Sequence, residues 1–318
     1  MSELDLEMLE AAPPWDWPAN AAEVLLESLR DRSRTPAERL AAARLAGEPA
    51  VIDEALAEAL LGIVRSADEP DELRGQAAIS LGPVLETVDV EGEDFPEDIP
   101  VPDHTFRKIV DGLREVYEAP NVPKLVRRRV LEGSVRAPRP WHADAIREAS
   151  ASGDPEWMVT AVFAMRWVRG FEDEIVEALE SRDEDLRYEA VQAAGSWQID
   201  AAWPYVERLL TSESGEKALL LAAIDAAGSI RPSEAGEVLA DLAESDDEDI
   251  AEAAREAIAI AEALEGEGFE FEAEEDDFED ELEGESDDEL DDELNDSIDD
   301  GLNGDERGGD LDELDEKR

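Results

Sequence analysis

One short pattern recurs along this chain at a nearly fixed interval, and it restricts the fold more than any other feature. In its clearest copy it reads Asp183, two residues, Leu186 and Arg187, two residues, Ala190, two residues, Ala193, one residue, Gly195. The same frame holds at Leu73, Arg74, Ala77, Ser80, Leu81 and Gly82, at Val126, Arg127, Val130, Gly133, Ser134 and Val135, and at Leu219, Leu220, Ala223, Ala226, Ala227 and Gly228. Ile250–Ala259 fits too, a looser copy runs Trp157–Arg166, and a weaker first copy runs Arg39–Gly47. The copies end at positions 47, 82, 135, 166, 195, 228 and 259, at intervals of 35, 53, 31, 29, 33 and 31. A period of this size marks one supersecondary unit stacked repeatedly on itself.

The spacing inside each copy is helical, with small residues gathered on one face. Ala and Gly there let a neighbouring helix approach closely, and the aliphatic residues fill the space between. A second amphipathic segment precedes most copies, as at Val24–Leu29, Ile52–Val64, Phe106–Val116, Ile175–Leu179, Val206–Leu210 and Val238–Leu242. Turns rich in Asp, at 68–71, 183–185 and 246–249, separate the two segments and offer caps to the following helix. The predicted fold is therefore all-α, an α-solenoid of about seven helical hairpins.

The pattern Asp-x-x-Leu-Arg-x-x-Ala-x-x-Ala-x-Gly resembles HEAT repeats, especially the short HEAT-like repeats first associated with phycobilisome lyases. The resemblance covers most of residues 19–264. It implies that the Arg-bearing helix lines a concave face and that its arginine joins a ladder to acidic or polar groups in the turns. Arg39, Arg74, Arg127 and Arg187 occupy that position, while Met158, Leu220 and Ala251 interrupt it. The resemblance also implies enzymes to consider. The iron-binding hydroxylases of this kind use His-Glu dipeptides, whereas His104 is followed here by Thr105 and His142 by Ala143. The glycosylase relatives need a basic groove.

Composition narrows the function further. The chain of 318 residues carries 87 acidic and 28 basic side chains, a net charge of −59. Residues 265–318 hold 29 of those acids and 3 of those bases, so the body keeps 58 acids, 25 bases and a net charge of −33. That balance disfavours binding to a phosphate backbone, which requires basic surface to displace counterions. Only 4 bases are Lys, and acidity with so little Lys fits a salt-accumulating halophile, where charge keeps the protein soluble and molar salt screens its self-repulsion. With no cysteine and 2 histidines, disulfides, thiolate chemistry and Cys-ligated metals are ruled out and no cofactor or metal is expected. No apolar run is long enough to span a membrane, and the first ten residues lack a signal-peptide pattern, so a cytoplasmic location is expected.

One region departs from this acidity. Residues 121–147 carry Lys124, Arg127, Arg128, Arg129, Arg136, Arg139 and Arg147 against Glu132 and Asp144, a net of +5. The segment after it, Trp157–Gly170, has no acidic residue and is apolar nearly all round. Counting from the repeat's Leu position, Arg128, Arg129, Val159 and Thr160 should face the concave side, with Phe163 one turn on. Arg136, Arg166, Trp167 and Arg169 should follow near the helix ends. The predicted protein-binding site is Arg128, Arg129, Arg136, Val159, Phe163, Arg166, Trp167 and Arg169, suited to a protein or acidic peptide with apolar anchors. Neither Arg128 nor Arg129 is expected in the core.

The resulting organisation is a cap segment at 1–18, a solenoid at 19–264 with an acidic loop insertion at 89–103, and a disordered acidic tail at 265–318. Trp15 and Trp17 should fold over the first repeat, because terminal repeats need covering. The predicted function is a non-enzymatic binding adaptor or scaffold. A lyase-like enzyme or enzyme accessory, and a nucleic-acid-related protein or DNA mimic, are the alternatives.

Overall fold

The computed structural model describes residues 6–92, 99–212 and 216–275, with side chains described through residue 263. Two compact units are distinguished, Met1–Glu270 and Phe271–Arg318, and every side-chain relationship below lies in the first. All regular structure among the described residues is helical. A short α1 (Leu6–Ala11) is followed by the hairpin α2 (Ala21–Arg30) and α3 (Pro36–Leu45), then by α4 (Glu54–Arg65) and α5 (Asp71–Ser80). An extra helix, α6 (Gly82–Glu91), stands outside the hairpin pattern. Five more hairpins pair α7 (Asp103–Glu118) with α8 (Lys124–Ser134), α9 (Pro140–Ala151) with α10 (Pro155–Ala164), α11 (Glu172–Leu179) with α12 (Glu184–Ser196), α13 (Trp203–Leu210) with α14 (Lys217–Ile230), and α15 (Pro232–Leu239) with α16 (Glu248–Glu275). The insertion thus begins as a helix rather than as loop, and the tail expected from 265 starts inside α16. The rest of the expected tail, 276–318, lies outside the described residues.

The second helix of each hairpin packs against the second helix of the next, from α3 to α5, α8, α10, α12 and α14 in turn. The glycine of the repeat makes this possible. A Cβ on Gly228 would lie 2.8 Å from the Ala257 carbonyl oxygen, and one on Gly47 would lie 2.6 Å from that of Ser80. These contacts are backbone against backbone, so any side chain there would force the two helices apart. Several turn residues set the helix starts. Asp183 accepts from Leu186 N at 3.2 Å, Asp53 from Leu56 N at 2.8 Å, and Thr35 with Glu38 closes a capping box at α3.

The repeated arginine does something different from the expected ladder. Arg39 donates to the Leu29 carbonyl at 2.9 Å, Arg74 to Val64 at 3.1 Å, Arg127 to Ala119 at 2.9 Å and Arg187 to Ser181 at 3.1 Å. Each acceptor lies at or just beyond the C-terminus of the first helix of the same hairpin. The last carbonyls of a helix lack intrahelical partners and carry partial negative charge, so a guanidinium there satisfies both needs. Arg39 alone of the four also reaches a turn carboxylate in the next hairpin, Glu69, at 2.5 Å. That contact holds the Glu69 carboxyl below its ordinary range.

The N-terminal cap is half as expected. Trp17 donates from Nε1 to the carbonyls of Leu9 at 3.0 Å and Ala12 at 2.9 Å, fastening α1, whose Leu6 and Leu9 are buried. Trp15 instead remains 81% exposed. The apolar core divides into two clusters that meet at α8, which gives Val126 and Val130 to one and Leu131 to the other.

Candidate protein-binding site

The seam at α8 is polar, and it takes one of the predicted site residues, Arg128, out of the exposed surface. Arg128 is 8% exposed and Thr160 is fully buried. Arg128 Nε donates to Thr160 Oγ1 at 2.8 Å, and the Thr160 hydroxyl donates to Glu132 Oε1 at 2.5 Å. A second nitrogen of Arg128 lies 3.1 Å from Glu156. Arg128 therefore holds α8 to α10 and is not available on an open face, which corrects the expectation that it lies outside the core. The reason is the partner set. Glu132 and Thr160 are both buried, and a buried carboxylate requires a cation beside it. Arg129 is exposed but ion-paired with Glu132 at 2.6 Å, so it belongs to the same network.

Next to this network sits a carboxylate without enough partners. Glu189, on α12, has one buried oxygen with no hydrogen-bond partner, and the buried Nε of Arg166 is likewise unpartnered. Burial pushes the Glu189 carboxyl up to about 7; Arg166 opposes the shift, while Glu132 and Asp185 add to it.

The remaining predicted residues gather beyond the ends of α8 and α10. Trp167 is the centre. Its ring stacks with Phe163 at 4.9 Å and lies under two guanidiniums, Arg136 at 5.3 Å and Arg166 at 5.1 Å. Its Nε1 donates to Glu86 of α6 at 3.4 Å, and Arg136 bonds the other oxygen of that carboxylate at 3.0 Å. Arg169 is exposed and lies over Trp197 at 4.4 Å, while Trp197 is fixed by a 2.7 Å bond from its Nε1 to the Met165 carbonyl. Val159 is half-buried against the core. The structure thus brings together Arg136, Phe163, Arg166 and Trp167, sets Arg169 on its own tryptophan, and assigns Arg128 and Arg129 to the seam.

Arginines at helix C-termini sit favourably in the local field, and stacking on indole adds about 0.5–1 kcal/mol at such exposed positions. Ion pairing is the rule for basic side chains in this acid-rich protein. Arg136 meets Glu86, Arg139 meets Asp89 at 2.9 Å, Arg147 meets Asp144 at 2.8 Å and Arg208 meets Glu180 at 3.3 Å. Arg166 and Arg169 have no carboxylate oxygen within 4.0 Å among the described residues, as is also true of Arg30, Arg127, Arg182 and Arg255, but of these only Arg166 and Arg169 are held on a tryptophan ring.

Glu86, Asp89, Trp197 and Glu189 are missing from the sequence-based set. The pairing of Arg136 and Arg139 with acids fifty residues earlier is a tertiary relationship, so only the charge of the insertion hinted at it. His142 is buried and neutral, and burial lowers its pKa to about 3. Its Nδ1 accepts from the Arg139 backbone at 2.9 Å and its Nε2 meets Ser134 Oγ at 3.0 Å. Among the described residues no group of three or more His, Asp or Glu side chains is arranged to hold a metal ion, and no helix is long and apolar enough to cross a membrane.

The sequence profile of HEAT repeats matches residues 172–259, which covers α11 to α15 and the start of α16. Among solved structures, the chain is similar to YibA of Escherichia coli at 16% identity, over 78% of this chain and 84% of that one, with a TM-score of 0.40. It is also similar to an engineered protein at 20% identity, over 77% of this chain and 98% of the other, with a TM-score of 0.32. No curated protein matches the chain. Residues 172–259 carry HEAT repeats, and with its run of stacked helical hairpins the chain has an all-helical α-solenoid fold among the described residues.

Proposed function

We propose that this protein is a non-enzymatic binding adaptor whose partner presents an acidic segment with an apolar anchor. One observation carries the reading. In a body with net charge −33, Arg166 and Arg169 have no carboxylate oxygen within 4.0 Å among the described residues and are held on tryptophan rings. Intramolecular acids are abundant, so two such guanidiniums three residues apart, each supported on an indole, fit an acceptor whose acid comes from another molecule. Stacking on Trp167 and Trp197 limits the rotamers each guanidinium would lose on binding, and half-buried Phe163 and Trp167 supply the apolar contact. HEAT-type solenoids bring such a surface in rigid form, because each helix is packed on both neighbours.

The acceptor lies at the C-terminal ends of the second helices, beside the face they share, and not around Arg128. Fluorescence anisotropy of a labelled acidic peptide with phenylalanine anchors tests the reading. Wild-type protein should bind it in low salt, and Arg166→Glu with Arg169→Glu should weaken binding about tenfold or more. Equal binding by both proteins, with melting unchanged, would remove the proposal.

A further inference from the structure

The connection after α8 reads Arg136, Ala137, Pro138, Arg139, and the connection after α10 reads Arg166, Trp167, Val168, Arg169. Both are Arg-x-x-Arg, both follow the second helix of a hairpin, and the second stands thirty residues after the first, close to one repeat period. In the first, each arginine is filled by one acid of α6. Arg136 pairs with Glu86 at 3.0 Å and Arg139 with Asp89 at 2.9 Å. The two acids are three residues apart on one helix, matching the arginine spacing, and three-residue neighbours share a helix face. Arg139 also lies over Phe106 at 5.4 Å, just as Arg169 lies over Trp197 at 4.4 Å. In the second motif the arginines and the aromatic supports are present, and among the described residues no carboxylate oxygen lies within 4.0 Å of either arginine, Glu189 acting on Arg166 only from beyond that distance.

We infer that Arg166 and Arg169 form a second, open copy of the α6-binding motif, and that its occupant is a helical acidic segment of a partner protein with two carboxylates three residues apart. The inference rests on the adaptor reading above and specifies the partner's secondary structure and acid spacing. The α6 contact shows the binding mode in cis. Its helix is fixed by buried Val84 and Leu85, which leaves Glu86 and Asp89 on the side facing the arginines. The pairing is charge-assisted and partly shielded, with Arg136 at 27% and Asp89 at 26% side-chain exposure. Gly82 permits the close approach, since a Cβ there would lie 2.7 Å from Arg136 Cδ. Covalent attachment gives α6 a high effective concentration, so an added helix of the same kind is directed to the open copy.

The test uses the full chain and a helical peptide with the sequence of residues 82–91, carrying Glu91→Gln and a hydrocarbon staple between positions 83 and 87. Two controls accompany it: the peptide with Glu86→Gln and Asp89→Asn, and a spacing isomer in which Val88 and Asp89 exchange places. The parent peptide should bind about tenfold more tightly than either control, and Arg166→Gln with Arg169→Gln should erase that preference. An Arg182→Gln variant checks that loss of any one surface charge is not the cause, and circular dichroism verifies that each variant is folded. Equal binding of parent and controls, no binding of the parent, or a preference that survives in the double variant would each overturn the inference. If the flexible acidic peptide still binds in an Arg166- and Arg169-dependent way, the adaptor reading stands while the helical one falls. If neither peptide binds, both fall.

Discussion

Arg128 Nε donates to Thr160 Oγ1 at 2.8 Å, and through that hydroxyl the guanidinium is joined to Glu132 across the seam between the two halves of the core. Thr160→Val keeps the shape and removes the link, leaving one buried donor and one buried acceptor each short of a bond. The expected cost is about 1–3 kcal/mol, measured by urea unfolding, with helicity of the native state retained. A cost near zero would mean that the network is solvated and that Arg128 is freer than its burial implies.

The fold was legible because its determinants are local and periodic. Leu186, Ala190 and Ala193 mark one helix face by spacing alone, and the same spacing recurs down the chain. The site was legible only in part. Arg166, Trp167 and Arg136 were found as bases and an aromatic near helix ends. Arg128 was misplaced because its burial depends on Thr160, 32 residues away, and on Glu156. The α6 contact joins residues fifty apart in sequence, which no local pattern encodes.

Glu189 supplies a pH test. Its folded pKa is raised to about 7, above the ordinary value of 4.5. Between those limits the native state holds a proton that the unfolded chain releases. Its stabilising contribution is therefore complete below pH 4.5 and lost as pH rises through about 7. Glu189→Gln should gain on the wild type across that window by on the order of 2 kcal/mol, after allowance for partial exposure. Chemical denaturation at a series of pH values would show the gain, and parallel stability curves for the two proteins would refute it.

Two glycines separate conformational from steric roles. Gly62, inside α4, has nothing within 4 Å of a built Cβ, so Gly62→Ala should stabilise by about 0.5–1 kcal/mol. Gly228 faces the Ala257 carbonyl, so Gly228→Ala should destabilise by about 1–3 kcal/mol despite better helix propensity. Melting temperatures shifting in opposite directions would verify the close-packed repeat contact. A rise in both would mean that α14 and α16 can separate without cost.

The net charge of −33 on the body predicts a salt response. Added KCl screens repulsion among exposed carboxylates, so the melting temperature should climb from low salt into the molar range. A flat curve would remove the halophilic reading, while leaving the solenoid itself untouched.

The central claim is that Arg166 and Arg169 accept carboxylates from a partner. Arginine-selective modification with phenylglyoxal, mapped by peptide mass spectrometry with and without the acidic helical peptide, addresses it most directly. Among the described residues both guanidiniums lack a carboxylate oxygen within 4.0 Å, and Arg169 is exposed. Both should react in the free protein and be protected by the peptide, while exposed Arg182 reacts equally in either state. Unchanged labelling of Arg166 and Arg169 at saturating peptide would contradict it.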